Sequence, residues 1–352
     1  MNITSLTNGT TTAATNINNT AFNANSVLVN FSGAFSSSGN LLLTDSAATA
    51  QTVALNVNGN YTSAGTSVIT AGTLTGADAT LTLNGASNSI NALTLTETAG
   101  GGQGHSTLVL GGSNASQTFA GTIAGNAAHE GVLTVNSTGA ATGLTGAISN
   151  LRAINAGATG NTTTFNSAVT TTDALNVTGT GTVVLTTTSG ITATNFAGGN
   201  GTLTVGTGAT LTSTLTTSTV DTGTLNLAGT SVLTGTAGAS GTELFAVTGG
   251  LENTTSSISA ATYAKTVTIA GTTDAAHAGA TNFGAVLAVG AGGMTVSSAG
   301  ATNAQAESST VTGLFTDAGT LHVTAAATAA SNATLTLNGA GSNVITGAAT
   351  LN

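Results

Sequence analysis

Apolar and polar residues alternate along this chain in short runs that close on Gly, Asn, Asp or Ser. QTVALNVNG (51–59), ATLTLNG (79–85), NALTLTE (91–97), STLVLGG (106–112) and GVLTVNS (131–137) share the form. So do GTLTVGT (201–207), GTLNLAG (223–229), KTVTIAG (265–271) and GTLHVTA (319–325). The period is two, with Leu, Val or Ile on one face and Thr or Asn on the other, which predicts short β-strands. Turn residues follow each run at once. Helix signals are weak, because Glu, Lys, Arg and Gln, which usually furnish the polar side of a helix, are scarce. Only 22–27, 271–281 and 300–308 are candidates for a short helix or a loop.

One stretch is written twice. ATLTLNGA occupies 79–86 and returns letter for letter at 333–340. Its alternation puts Leu81 and Leu83 on one side, and Thr80, Thr82 and Asn84 on the other, with Gly85 free to turn. The related runs lie between the two copies. A strand-and-corner unit repeated in this way predicts an all-β chain built as a parallel β-helix-like solenoid. Each coil would hold two or three strands and recur about every 20–30 residues, giving roughly 15 coils. One coil cannot bury its own apolar side, and stacking provides the core. The runner-up is two or three β-sandwich domains, which also place strands at short intervals. Sandwich cores favour large aromatics, and this chain has nine Phe, two Tyr and no Trp. Three regions are expected: a less regular cap or docking segment at 1–50, a regular repeat region at 51–235, and a second β region at 236–352 with a cap or insertion.

Composition narrows the function. Charged residues make up 4% of the 352, against roughly 25% in an ordinary globular protein. Arg152 and Lys265 are the only basic residues, against eleven Asp and Glu, and the net charge is -9. Nucleic acid is excluded as a partner, since phosphate neutralisation needs clustered Lys and Arg. No apolar run is long enough for a membrane helix. The absence of Cys rules out disulfides and thiolate chemistry. Steady Leu, Val and Ile, with a mean hydropathy of +0.33, argue for a folded chain rather than a disordered one. The segment MNITSLTNGTTTAATNINNT has neither a basic nor an apolar signal region, so export is expected without a cleavable signal peptide, or with a leader outside this sequence.

The candidate chemistry is sparse. His105, His129, His277 and His322 lack metal-ligand spacing. Paired carboxylates of the glycosidase kind would require Asp173 to stack with Asp221, or Asp78 with Glu97. The chain is expected not to be an enzyme. GGQGHSTLV (101–109) matches the glycine pattern of the calcium-binding nonapeptide but carries Ser106 where that pattern needs Asp. Calcium is therefore the one cofactor considered, with Asp78, Asp173, Asp221 and Asp317 as weak candidate ligands. Phe22, Phe31 and Phe35 mark the first fifty residues as a donor segment for a neighbouring copy, or as an internal cap. TLT triplets at 73–75, 80–82 and 94–96, and again from Thr202, raise ice binding as a minor alternative.

GVLTVNSTGAATGLTGAISNLRAINAGATG (131–160), GTLTVGTGATLTS (201–213) and ATLTLNGASNSINALTLTETAG (79–100) resemble Thr/Gly/Asn-rich segments of bacterial surface-layer proteins and autotransporter passengers. The resemblance is one of texture and covers most of the chain. It implies a β-rich, self-assembling scaffold at the cell surface, often calcium dependent, with copies of itself and cell-surface polysaccharide as partners. The function expected is that of a structural subunit of a surface layer or filament. An adhesin or carbohydrate-contacting solenoid is the alternative.

Overall fold

A computed structural model describes residues 2–3, 6–8, 15–18, 26–37, 39–45, 51–97, 104–170, 172–250, 254–270, 279–297, 308–324, 333–339, 343–347 and 349–351. The chain is a parallel β-solenoid. Every pairing between strands among the described residues is parallel, and the one antiparallel contact is an isolated bridge between Ala239 and Thr242. Sandwiches are built from antiparallel sheets, so that alternative falls. The chain divides into two compact units, Met1–Asn176 and Val177–Asn352.

In the first unit one ladder runs through Asn2–Ile3, Val27–Phe31, Thr52–Val57, Asp78–Leu83, Ser106–Leu110, Val132–Val135, Ala153–Ala156 and Thr172–Val177. Val27 pairs with Val53, 26 positions on, and Val132 with Ala153, 21 positions on, so the coils shorten along the unit. A coil has three strands, as in Val132–Val135, Ala141–Leu144 and Ile148–Ser149. In earlier coils the second and third merge into one long bent strand, such as Ser87–Thr96 or Ser116–Gly125, with a register shift at the bend. Gly121 occupies that bend at φ 122°, where a Cβ would run into the Ile90 carbonyl.

The alternation read from the sequence becomes inside and outside. Val29, Leu55, Leu81, Leu108, Leu133 and Ile154 stand in one register file, and Phe31, Val57, Leu83, Leu110 and Val135 in a second. Nearly every member of both files is sealed from solvent. Each coil thus covers the apolar side of the next. Outside, polar side chains form ladders of their own. Asn56 donates to Asn30 at 2.8 Å, Asn84 to Asn58 at 2.8 Å and Asn176 to Asn155 at 2.9 Å, stacked as amides are in cross-β assemblies.

The second unit repeats the scheme. Its ladder holds Ser189–Phe196, Thr210–Thr217, Val232–Leu233, Thr255–Ile258, Ala280–Phe283, Ser308–Val311 and Thr334–Leu337. Val183, Leu203, Leu225, Val247, Val267 and Met294 form a buried file on another face. Both copies of ATLTLNGA are strands of these ladders, 79–83 pairing with 53–57 and 334–337 with 308–311. Of the three candidate helical stretches, residues 27, 280–281 and 308 are in strands, 26 and 279 are in neither helix nor strand, and the remainder lies outside the described residues.

Some interior positions are polar, because corners leave carbonyls pointing inward. Gln117 donates to the carbonyls of Leu83 and Gly85, Asn88 to that of Gly85, and Asn161 to that of Gly139. These side chains are buried and serve the corners.

Candidate functional site

Charge in the first unit collects at one corner of the coils. Asp45, Asp78, Glu97, His105, His129, Glu130, Arg152 and Asp173 are all of its Asp, Glu, His and Arg residues. Each lies where the third strand of a coil gives way to the first strand of the next. Coil length does this, since a spacing of 21–27 residues returns the chain to the same corner.

Two groups of these side chains are joined by hydrogen bonds and ion pairs, one around Glu97 and Arg152 and one between His129 and Asp173. Asp78 Oδ1 accepts the N–H of His105 at 2.7 Å, and Glu97 Oε1 accepts the next one, from Ser106, at 3.1 Å. Arg152 reaches Glu97 at 3.3 Å and the His105 ring at 2.8 Å. Glu130 Oε2 accepts the N–H groups of Glu97 and Ala127. His129 Nδ1 stands 2.6 Å from both oxygens of Asp173. Five carboxylates share a single guanidinium, so the corner is strongly negative. The Glu97 side chain is only 9% exposed, which strengthens its pairing with Arg152 relative to a surface pair.

In the second unit, Asp221 and Lys265 form an ion pair at 3.0 Å, and the ammonium passes 5.9 Å from the centre of the half-exposed Phe245 ring. Asp317 is buried, its two oxygens taking the N–H groups of Gly319 at 2.8 Å and Met294 at 3.3 Å. Burial pushes its carboxyl above the ordinary Asp value, and the two N–H donors oppose the rise.

The candidate ligands are therefore held by protein partners, Asp78 by a backbone N–H, Asp173 by His129, Asp221 by Lys265 and Asp317 by two backbone N–H groups. No three His, Asp or Glu side chains come together in a metal-holding group among the described residues. Asp78 and Glu97 do share a corner, whereas Asp173 and Asp221 belong to different units. In the nonapeptide-like stretch, Gly101 and Gly102 lie outside the described residues, and Ser106 points into the core, its hydroxyl without a hydrogen-bond partner.

Phe22 lies outside the described residues. Phe31 and Phe35 are interior, their rings stacked at 4.7 Å, with Tyr61 next at 5.1 Å. Tyr61 is sealed from solvent, and its hydroxyl makes no hydrogen bond of good geometry. Burial pushes the phenol up to about 12, offset in part by the nearby hydroxyls of Ser63 and Ser67.

The network of Glu97, His105, Glu130 and Arg152 was invisible as a unit in the sequence, because its members are up to 55 positions apart. Only the coil length, carried residue by residue through each corner, would have aligned them. No helix among the described residues is long and apolar enough to cross a membrane. No family model, curated protein or solved structure matches the chain.

Proposed function

We propose that the protein is a structural, non-catalytic subunit that assembles with copies of itself into a bacterial surface layer or filament outside the cell. The observation that carries this reading is the repetition of register. In both units each coil presents its successor with the same aliphatic files inside, the same backbone ladder and, outside, stacked Asn and Thr side chains. A coil built this way is a template for another coil. Proline and lysine, which usually block pairing at strand edges, are absent and nearly absent respectively. Negative-stain microscopy of the purified chain, with and without added calcium, tests this. Ordered sheets or filaments support it, and dispersed particles in both conditions defeat it.

A second reading, ice binding, draws on one face of the second unit. Thr182, Thr202 and Thr224 stand in one register file, with Thr266 two coils further along. Thr204, Thr248, Thr268 and Thr295 stand in the neighbouring file, interrupted by Asn226. Neighbouring coils repeat at about 4.8 Å, and alternate residues of a strand at about 6.7 Å. A regular, uncharged lattice of hydroxyls and methyls suits an ordered water layer. Thermal hysteresis of a protein solution tests it, and freezing without hysteresis removes it.

A further inference from the structure

In each unit an ion pair that starts from a residue with left-handed backbone reaches over an intervening coil to a partner 44 positions away. Arg152 also reaches over a coil, from ordinary backbone, towards Glu97. His129 meets Asp173 in the first unit, and Asp221 meets Lys265 in the second. Three non-glycine residues among the described positions have positive φ, and His129 (69°) and Asp221 (59°) are two of them, with Asn150 (60°) the third. Left-handed backbone is unfavourable for a residue with a Cβ. Both straps therefore start from a costly conformation that aims the side chain across the stack. Under the first strap lies the coil of Arg152, whose N–H bonds the Gly131 carbonyl while Leu151 O receives the N–H of Asp173. Under the second lies the coil of Phe245.

The straps differ in chemistry. Imidazole is the side chain that changes charge between pH 5 and 8, whereas an ammonium does not change there. The ionisable groups on the coils around the imidazole are Glu130 beside it, Glu97 on the preceding coil, Arg152 on the following coil and Asp173 beyond. His105 lies against Arg152 and Glu97. Arg152 is engaged by Glu97, which leaves His129 as the one group placed to neutralise Asp173.

We propose that His129 and Asp173 form a proton-operated strap that fastens three successive coils of the first unit on acidification, and that Lys265 and Asp221 form its permanently charged counterpart in the second unit. The device regulates how readily coils open, and it does not depend on what the protein assembles into. Its ends are 69% and 35% exposed, so its leverage is that of a surface pair.

Hydrogen exchange of the full chain at pH 5.5 and pH 8, corrected for intrinsic rates, tests the proposal. Protection of Ala153–Ala156 and Thr172–Val177 should be higher at pH 5.5 by about two- to five-fold. His129→Asn, which keeps a residue tolerant of left-handed backbone, should erase that difference, and Asp173→Asn should do the same. Leu244–Gly249 should show no pH difference, yet should lose protection in Lys265→Met. A wild-type pH difference that survives His129→Asn overturns the proposal. So does one that disappears in His105→Gln instead, which would place the proton on the Arg152 network. Protection lost across the whole first unit in both His129→Asn and Asp173→Asn, including the Leu81–Leu83 segment, would mark a general packing role and likewise refute the strap.

Discussion

Replacing Tyr61 with Phe should stabilise the protein at neutral pH and remove part of its alkaline lability. The ring is sealed in the first unit and stacks on Phe35, so Phe keeps the packing. What disappears is a buried hydroxyl without a hydrogen bond. Leaving such a group unsatisfied costs about 1–3 kcal/mol, and the nearby Ser63 and Ser67 hydroxyls place the gain near the lower end, about 1 kcal/mol. The pH effect follows from the same burial. The folded phenol titrates at about 12, against 10.0 for an unperturbed one. A raised pKa means stability that is complete below pH 10 and lost as pH climbs towards 12, because the unfolded chain releases its proton first. At about 1.4 kcal/mol per unit, two units amount to about 2.7 kcal/mol. Urea unfolding of wild type and Y61F at pH 8, 10, 11 and 12 measures both effects. Other groups titrate in that range in both proteins, so the difference between the two curves isolates Tyr61. The reasoning is refuted if Y61F is the less stable at pH 8, or if both proteins lose equal stability between pH 10 and 12.

Three further outcomes are expected. Asp317→Asn should flatten one component of the second unit's acid response: the folded carboxyl titrates above its unfolded value, so its contribution is fully present below the unfolded pKa, near 3.8, and is lost as pH rises through the folded one. Unfolding at pH 3.5 and pH 7 should therefore show wild type gaining more than D317N on acidification. Leu81→Ala opens a void between Leu55 and Leu108 and should cost about 2–5 kcal/mol in denaturant titration. Gly121→Ala should be destabilising out of proportion to its size, because φ is 122° and a methyl meets the Ile90 carbonyl, and its melting temperature reports this.

Much of the fold could be read from the alternation alone. Leu81 and Leu83 point inward, Thr80 and Thr82 outward, and the second copy at 333–340 re-enters a ladder as its letters suggest. Coil length was legible as a range, and the registers place it between 20, from Thr182 to Thr202, and 31, from Ser87 to Thr118. Polar interior residues were not legible. Gln117, Asn88 and Asn161 look like surface residues by type, and their burial follows from corner carbonyls that only the folded coil creates. The charged corner was hidden for a related reason. An error of one residue in a coil rotates every later side chain to the opposite face. Eight residues scattered over more than a hundred positions therefore cannot be aligned until each coil's length is known. Phe31 and Phe35 carry the same lesson: residue type alone left a donor segment and an internal cap both open, and their rings pack inside the protein's own coils.

The central claim is that these coils are templates for one another between molecules as well as within one. Fibre diffraction from concentrated, calcium-equilibrated protein tests it most directly. The account predicts a sedimenting assembly with a reflection at about 4.8 Å along its long axis, the continued spacing of parallel coils. A chain that stays folded and monomeric at every concentration and calcium level, giving no such reflection, would contradict it.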